Sequence, residues 1–342
     1  HLLKMGFSIQ DLATAPSLAA LAAQDEEARA LLLQYAATKG SGKIAEIQPS
    51  VFCQDHHLYL FERPEPLEPG ESPALVAEVA LLRALGSTAA GRRVLASCAA
   101  QALHEIGFDP EAMARISAEW GPLDWESSFS APVYWSVRGI WMAEARDDVV
   151  MKSRCRRSAL QGLKNAMRLG KNRIEVDQLN QNTIVTLTLP NTELIPYLDR
   201  LYTEGAEQAR ADIVRLSKQE EFDPKDMRAA RSFEINQHEA RKDFLIEATI
   251  LLSEYGRDIE GELLLKRARR DYPEEPNFQI PYQEYLLTMM ANRITDAGAM
   301  DTTDTVTQAL LGLWRRYFIY LAYGEDQRAK TYDTLARARI SR

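Results

Sequence analysis

The sequence predicts an all-α protein, a repeat-like α-solenoid or stack of α-hairpins with one small β or extended insert near residues 173–190. Three observations carry the prediction. Apolar residues recur at helical spacing over most of the chain. Glycine and proline punctuate those runs at short intervals. Period-two alternation of β-branched residues is confined to TIVTLTL, inside the stretch Arg173–Asn191.

Taken in order, Ser17–Lys39 is alanine- and leucine-rich with charge on one side, and reads as one amphipathic helix. Residues 40–73 break the pattern and read as a long excursion, with a short extended segment at Leu58–Phe61. Ser72 followed by Pro73 is a helix start, a hydroxyl cap with proline at the first helical position. Helices follow at Ala74–Leu85 and Ala89–Ile106, and Phe108-Asp109-Pro110-Glu111 opens another that ends at Gly121. Val133–Arg146 and Val149–Leu169 are helical. Arg173–Asn191 is a small hairpin or an isolated extended excursion, after which Asn191 caps a long helix through Leu216. From Pro224 to Arg342 the pattern is helical throughout. The chain is thereby organised as an N-terminal helix and excursion (1–73), a helical domain (74–170), the insert (171–191) and a helical C-terminal region (192–342).

A chain of 342 residues buries a core without staples. Its 41 basic and 49 acidic residues, a formal charge of −8, argue against a surface built as a whole for nucleic acid. Cys53, Cys98 and Cys155 form no CxxC and no disulfide framework, and read as buried, inert thiols. No apolar run reaches the roughly 18–20 residues that span a bilayer. Because the sequence opens on HLLKMGF, a preceding anchor or targeting segment is expected slightly more than a free cytoplasmic chain.

In Arg241–Pro276, residues Phe244, Ala248, Leu252, Gly256, Gly261, Leu265, Ala268 and Pro273 fall at spacings of 4, 4, 4, 5, 4, 3 and 5. This resembles the tetratricopeptide repeat, a helix–turn–helix unit of about 34 residues. Phe244 stands where tryptophan is usual, Ala248 where glycine is and Gly261 where alanine is. YFIYLAYGEDQRAKTYDTLARA echoes the unit, with Gly324 and Ala329 five apart. The resemblance implies stacked helical hairpins that bind partner helices or peptides.

Residues 75–215, from FDPEAMARISAEWGPLDW through PVYW to RCRRSALQGLKNAMRLGK, are similar to a family of uncharacterised bacterial helical proteins. Many members of that family carry an N-terminal membrane anchor, which the resemblance implies here as well. Leu123, Asp124, Trp125, Tyr134 and Trp135 match its pattern; Glu126, Ser128 and Ala131 stand where arginine, proline and histidine are usual. The kept residues are those of packing and turn-making. Trp125, Tyr134 and Trp135 are therefore expected to form a structural corner, with Tyr134 and Trp135 pointing into the stack and Asp124 or Ser130 capping the next helix.

Candidate chemistry is sparse. Cys53-Gln54-Asp55-His56-His57 gathers metal-ligand types, but neighbouring side chains point apart and no second cluster completes a site, so no metal is expected. GSGK at Gly40–Lys43 follows a helix and lacks the phosphate-loop spacing. No GxSxG or other nucleophile motif occurs. Glu220, Glu221 and Asp223 read as a solvated helix junction. No cofactor, catalytic residue or small-molecule substrate is expected.

Lys152–Arg173 carries eight basic residues and no acidic one. Arg156, Arg157, Lys164, Arg168 and Lys171 are candidates for meeting an anionic membrane surface or an acidic partner. Pairing with Asp147, Asp148 and Glu175 is the competing reading. No aromatics interleave the charges, which disfavours nucleic acid. Tyr317 and Tyr320 in LWRRYFIYLAYG are candidate interface anchors, against a competing role in inter-helix packing. The expectation is a non-enzymatic helical scaffold or assembly subunit that binds protein partners. Its alternatives are the accessory domain of a membrane-anchored envelope protein and a helical enzyme without a local motif.

Overall fold

The computed structural model describes residues 7–61, 73–176, 184–219, 221–286, 288–289, 303–322, 324 and 326–340. The fold is all-α, with one antiparallel hairpin as the β element among the described residues. The chain divides into two compact units, His1–Glu119 and Trp120–Arg342. The division falls at the end of a helix inside the segment expected as one helical domain (74–170).

The first unit contains α1 (Ile9–Ala13), α2 (Leu18–Gln24), α3 (Glu26–Thr38), α4 (Pro49–Phe61), α5 (Pro73–Ser87), α6 (Ala89–Glu105) and most of α7 (Pro110–Trp120). Alanine-rich α6 is its centre, packing against α1, α2, α3, α4 and α5. Small side chains let these neighbours approach, and Val94, Leu95, Cys98 and Ala99 are buried. The helix expected at Ser17–Lys39 is two helices. Asp25 breaks it in extended conformation, its carboxylate accepting the Ala28 N–H at 3.0 Å and an Arg93 guanidinium N–H at 2.7 Å. Leu58–Phe61, expected extended, instead completes α4, whose Phe52 and Cys53 are buried. The cap expected at Ser72, and the stretch 62–72 as a whole, lie outside the described residues.

The second unit runs through α8 (Ser130–Ala145), α9 (Val149–Leu169), β1 (Lys171–Val176), β2 (Ile184–Leu189), α10 (Ile195–Ser217), α11 (Pro224–Glu254) and α12 (Asp258–Asp271). Beyond residues 282–286, also helical, come α13 (Thr303–Ala322) and α14 (Asp326–Ile340). Consecutive helices pair (α8 with α9, α10 with α11, α11 with α12, α13 with α14), and α9 also meets α11, as in a hairpin stack. β1 and β2 pair antiparallel from Lys171↔Leu189 to Val176↔Ile184, close to the expected insert.

Two glycines set the closest approach of α8 to α9. A Cβ on Gly139 would lie 2.7 Å from Cys155 Sγ, and one on Gly162 would lie 2.9 Å from Val133 Cγ2. The helices α10, α11 and α12 are tied by a buried carboxylate: Asp199 accepts hydrogen bonds from Arg241 Nε at 2.9 Å and from Arg267. Arg241 also reaches Asp271 at 2.9 Å. Two guanidiniums around one buried carboxylate offset its desolvation, which an unpaired charge does not survive.

The repeat-like segment has its small and apolar positions inside: Phe244, Ala248 and Leu252 on α11, and Gly261, Leu265 and Ala268 on α12, are buried. Gly256 makes the turn with φ +76°. The first helix is longer than one helix of such a two-helix unit, because α11 begins at Pro224 behind the Asp223 cap and runs for 31 residues. No helix among the described residues is long and apolar enough to cross a membrane.

Candidate functional site

The corner at Gly121–Trp135 is built by hydrogen bonds and ring contacts. Gly121 turns the chain at φ +115°, where a Cβ would meet Leu194 Cδ2 at 2.8 Å. Asp124 Oδ1 accepts the Glu126 N–H at 3.0 Å, and its carbonyl accepts from Ser130 Oγ, so Asp124 shapes the turn while Ser130 begins α8 without capping it. Asn191, expected to cap the following helix, instead donates from Nδ2 to the Pro122 carbonyl at 2.8 Å and from its N–H to the Met167 carbonyl at 2.9 Å. Buried Asn191 thus fastens the corner to the end of α9.

The three aromatics of the corner divide between inside and outside. Tyr134 is buried and half-buried Trp125 meets it edge-on, ring centroids 6.3 Å apart. Trp135, expected to point into the stack, is 53% exposed. Successive helical residues sit about 100° apart, so burying Tyr134 turns its neighbour outward.

The basic stripe of α9 is largely engaged inside the protein. Lys152 pairs with Asp212 of α10 at 2.6 Å, and Lys164 with Glu247 of α11 at 3.3 Å. Arg168 grips the same Glu247 through two nitrogens, and Lys171 reaches Glu193 at 3.1 Å. The half-buried Arg156 lies beside Gly205, where desolvation by burial lowers its guanidinium pKa against the raising effect of Glu144, Glu204 and Asp212. Of the five candidates, Arg157 alone is exposed without an ion pair among the described residues; Arg154, not singled out from sequence, shares that state. The acids expected as partners have other tasks. Asp147 pairs with Arg215 at 2.9 Å, Asp148 caps α9, and the side chain of Glu175 lies outside the described residues.

At the C-terminal end Tyr320 is buried and stacked on Tyr332, ring centroids 5.4 Å apart, and so is not available as a surface anchor. Tyr317 is half-buried. The outward face of α13 belongs to residues that sequence reasoning missed: Trp314, Phe318 and Leu321 are 42%, 61% and 45% exposed. The signal was present, since spacings of four and three place them on one stripe. It was hidden because Leu313, Tyr317 and Tyr320 make the helix apolar on its other sides as well.

Two further features lie in the first unit. A cleft of about 330 Å³ between α1 and α6 is edged by Asp11, Thr14, Arg92 and Arg93. Its Asp11 carboxylate accepts from Ser8 N at 2.7 Å, and its Arg93 guanidinium grips Asp25 at 2.6 Å. In the cysteine–histidine segment, Cys53 is buried, and Asp55 accepts from Tyr35 Oη at 2.6 Å and pairs with Lys39 at 2.8 Å. The side chains of His56 and His57 lie outside the described residues, among which no three His, Cys, Asp or Glu are grouped to hold an ion. Lys43 of GSGK pairs with Glu46 at 2.9 Å, and Asp223 caps α11.

No family model, no curated protein and no solved structure matches the chain.

Proposed function

We propose that this protein is a non-enzymatic helical scaffold whose surface binds protein partners. The observation that carries the reading is the stripe Trp314–Phe318–Leu321, three large apolar side chains on one exposed face of α13. Their solvation is unfavourable by about 25 cal/mol per Å² of apolar surface, and docking a partner helix on that face removes it from water. Spacings of four and three are those of a two-helix seam. The tetratricopeptide-like reading of residues 241–276 belongs to the same proposal. It is supported by the buried Phe244, Ala248 and Leu252 and by the glycine turn at Gly256.

Crosslinking with mass spectrometry in the source cells tests it. The expected result is protein partners crosslinked near α13 and lost in the Trp314→Ser/Phe318→Ser variant. A strictly monomeric chain that captures no protein, together with turnover in a broad substrate screen, overturns it.

A further inference from the structure

The cleft between α1 and α6 carries two opposite charges that do not meet. Its edges are fixed by local chemistry. On one side Ser8 and Asp11 form a capping box, which holds Asp11 in the first turn of α1, and the chain continues along the cleft to Ala15 and Pro16. On the other side Thr88 caps α6 by accepting the Gly91 N–H at 3.0 Å. Arg92 follows near the start of that helix, and buried Ala96 comes one turn later on the same face. Buried Phe7 also lines the cleft.

The three charged groups of the lining are engaged to different degrees. Arg93 is neutralised by Asp25, through Nε at 2.7 Å and Nη2 at 2.6 Å. Asp11 receives both Ser8 donors on one oxygen, Oδ2, at 2.7 and 2.8 Å, so Oδ1 accepts no hydrogen bond among the described residues. Exposed Arg92 makes neither a hydrogen bond nor an ion pair among the described residues. Its guanidinium lies over the Phe7 ring, Cζ 5.8 Å from the centroid. Even so, Arg92 is close enough to help hold the Asp11 carboxyl below its usual range, after the stronger effects of the Ser8 N–H and the Ser8 hydroxyl. One cation and one carboxylate oxygen thus share an apolar cleft, each with hydrogen-bonding positions left open.

From this we infer that the α1–α6 cleft binds a free α-amino acid with a large apolar side chain. Its α-carboxylate meets Arg92, because a guanidinium takes a carboxylate through two N–H donors. Its α-ammonium donates to Asp11 Oδ1, and its side chain lies against Phe7, Ala15 and Ala96. A ligand of one charge leaves the opposite group of the cleft unanswered, whereas a zwitterion satisfies both and adds no net charge. The volume agrees: about 330 Å³ stands at the lower end of the roughly 300–1,000 Å³ of small-molecule sites. The inference goes beyond the scaffold reading and does not depend on it.

Saturation-transfer NMR on the full chain at pH 7 tests it with four probes. L-phenylalanine is compared with L-phenylalaninamide, which lacks the carboxylate, with N-acetyl-L-phenylalanine, which lacks the ammonium, and with L-alanine, which lacks the large side chain. L-phenylalanine is expected to bind with a dissociation constant on the order of 1 mM. Each of the other three is expected to bind about 10-fold more weakly. Arg92→Gln and Asp11→Asn are each expected to weaken L-phenylalanine by about the same factor. Asp11 also holds the capping box, so if far-UV circular dichroism shows that Asp11→Asn loses helix, exposed Arg92→Gln and the three analogues decide without it. No binding of L-phenylalanine, equal binding of the amide or the N-acetyl derivative, or affinity unchanged in Arg92→Gln overturns the inference. Binding of L-alanine as tight as that of L-phenylalanine overturns the apolar part of it.

Discussion

Arg316 of α13 and Asp258 of α12 form a two-pronged ion pair, with Nη1–Oδ2 and Nη2–Oδ1 both at 2.5 Å, and the guanidinium is 2% exposed. Nε donates to the Ser253 carbonyl and Nη2 to Ser253 Oγ at 3.1 Å, while Tyr282 Oη donates to the same Asp258 at 3.2 Å. The pair thus fastens α13 onto the turn between α11 and α12. Removing one partner of a buried pair leaves the other charge uncompensated, which costs about 3–5 kcal/mol. Asp258→Ala is expected to destabilise the protein by about 3 kcal/mol, because the Ser253 contacts remain. Arg316→Met, which removes the buried charge itself, is expected to cost less. Urea unfolding of the two variants checks the order, and the reverse order would mean that the guanidinium contributes chiefly through its packing.

The close approach of α8 to α9 makes a second expectation. A Cβ on Gly162 falls 2.9 Å from Cγ2 of buried Val133, so one of the two must shift. Overpacking of this kind costs roughly 1–3 kcal/mol, so Gly162→Leu is expected to lower stability by that amount. Gly162→Ala combined with Val133→Ala is expected to be less destabilising than the sum of the single changes, since the smaller residue at 133 removes the clash and the methyl added at 162 fills part of the space it leaves. Strict additivity in thermal unfolding would show that the helices separate freely.

Much of this architecture is legible in the sequence because it rests on local chemistry. Pro73, Pro110 and Pro224 stand at helix starts, Val149–Leu169 spans α9 as the spacing predicts, and the β-branched stretch is the hairpin. What escaped depends on distant residues. Eight positive charges on one helix are plain to read, but Arg168 and Glu247 are 79 residues apart, and no local pattern announces that pairing. Asp25 looked like one polar position within a helix; its break of the chain is reinforced by Arg93, 68 residues on. Tyr320 and Phe318 are two residues apart on a helix apolar all round, so burial of one and exposure of the other is decided by where α14 packs.

Asp25 also gives a pH dependence. Its pKa is lowered from the usual carboxylate value by the Ala28 N–H first and by Arg93 next, against a smaller effect of desolvation. A carboxylate with a depressed folded-state pKa stabilises fully above its unfolded pKa of about 3.9, and loses that contribution as the pH falls through the folded value. The thermal midpoint of Asp25→Ala is therefore expected to lie below that of the parent at pH 6, and the gap to close as the solution is acidified below about pH 4. A gap that stays constant down to strong acid would assign the effect to the neutral side chain.

The cysteines are expected to react in a fixed order. Burial pushes the Cys53 thiol up to about 12 and Cys98 well above its ordinary value, whereas Cys155 is half-exposed and raised by desolvation and by Asp148. Only the thiolate is a nucleophile, so iodoacetamide near pH 8 should modify Cys155 first. Cys53 and Cys98 should follow only at the rate of unfolding, and peptide mapping over time separates the two phases. Early modification of Cys98 would mean that the α6 core opens without global unfolding.

The exposed stripe on α13 and the buried ring beneath it make the last contrast. Trp314 and Phe318 face water, so replacing both by serine removes little packing, and surface changes of this kind usually stay within about 0.5 kcal/mol. Tyr320 is buried, stacks on Tyr332 and lies 3.5 Å from Arg316 Nη1, so Tyr320→Ser opens a cavity and is expected to cost about 3 kcal/mol or more. Binding of the dye anilinonaphthalene sulfonate is expected to move the other way. It should fall in Trp314→Ser/Phe318→Ser, where an apolar face is erased, and rise in Tyr320→Ser, where the α13–α14 pair loosens. Calorimetry and dye fluorescence on the two variants check both halves. If the double surface variant is destabilised as much as Tyr320→Ser, then Trp314 and Phe318 belong to the core and the stripe is not a surface for a partner.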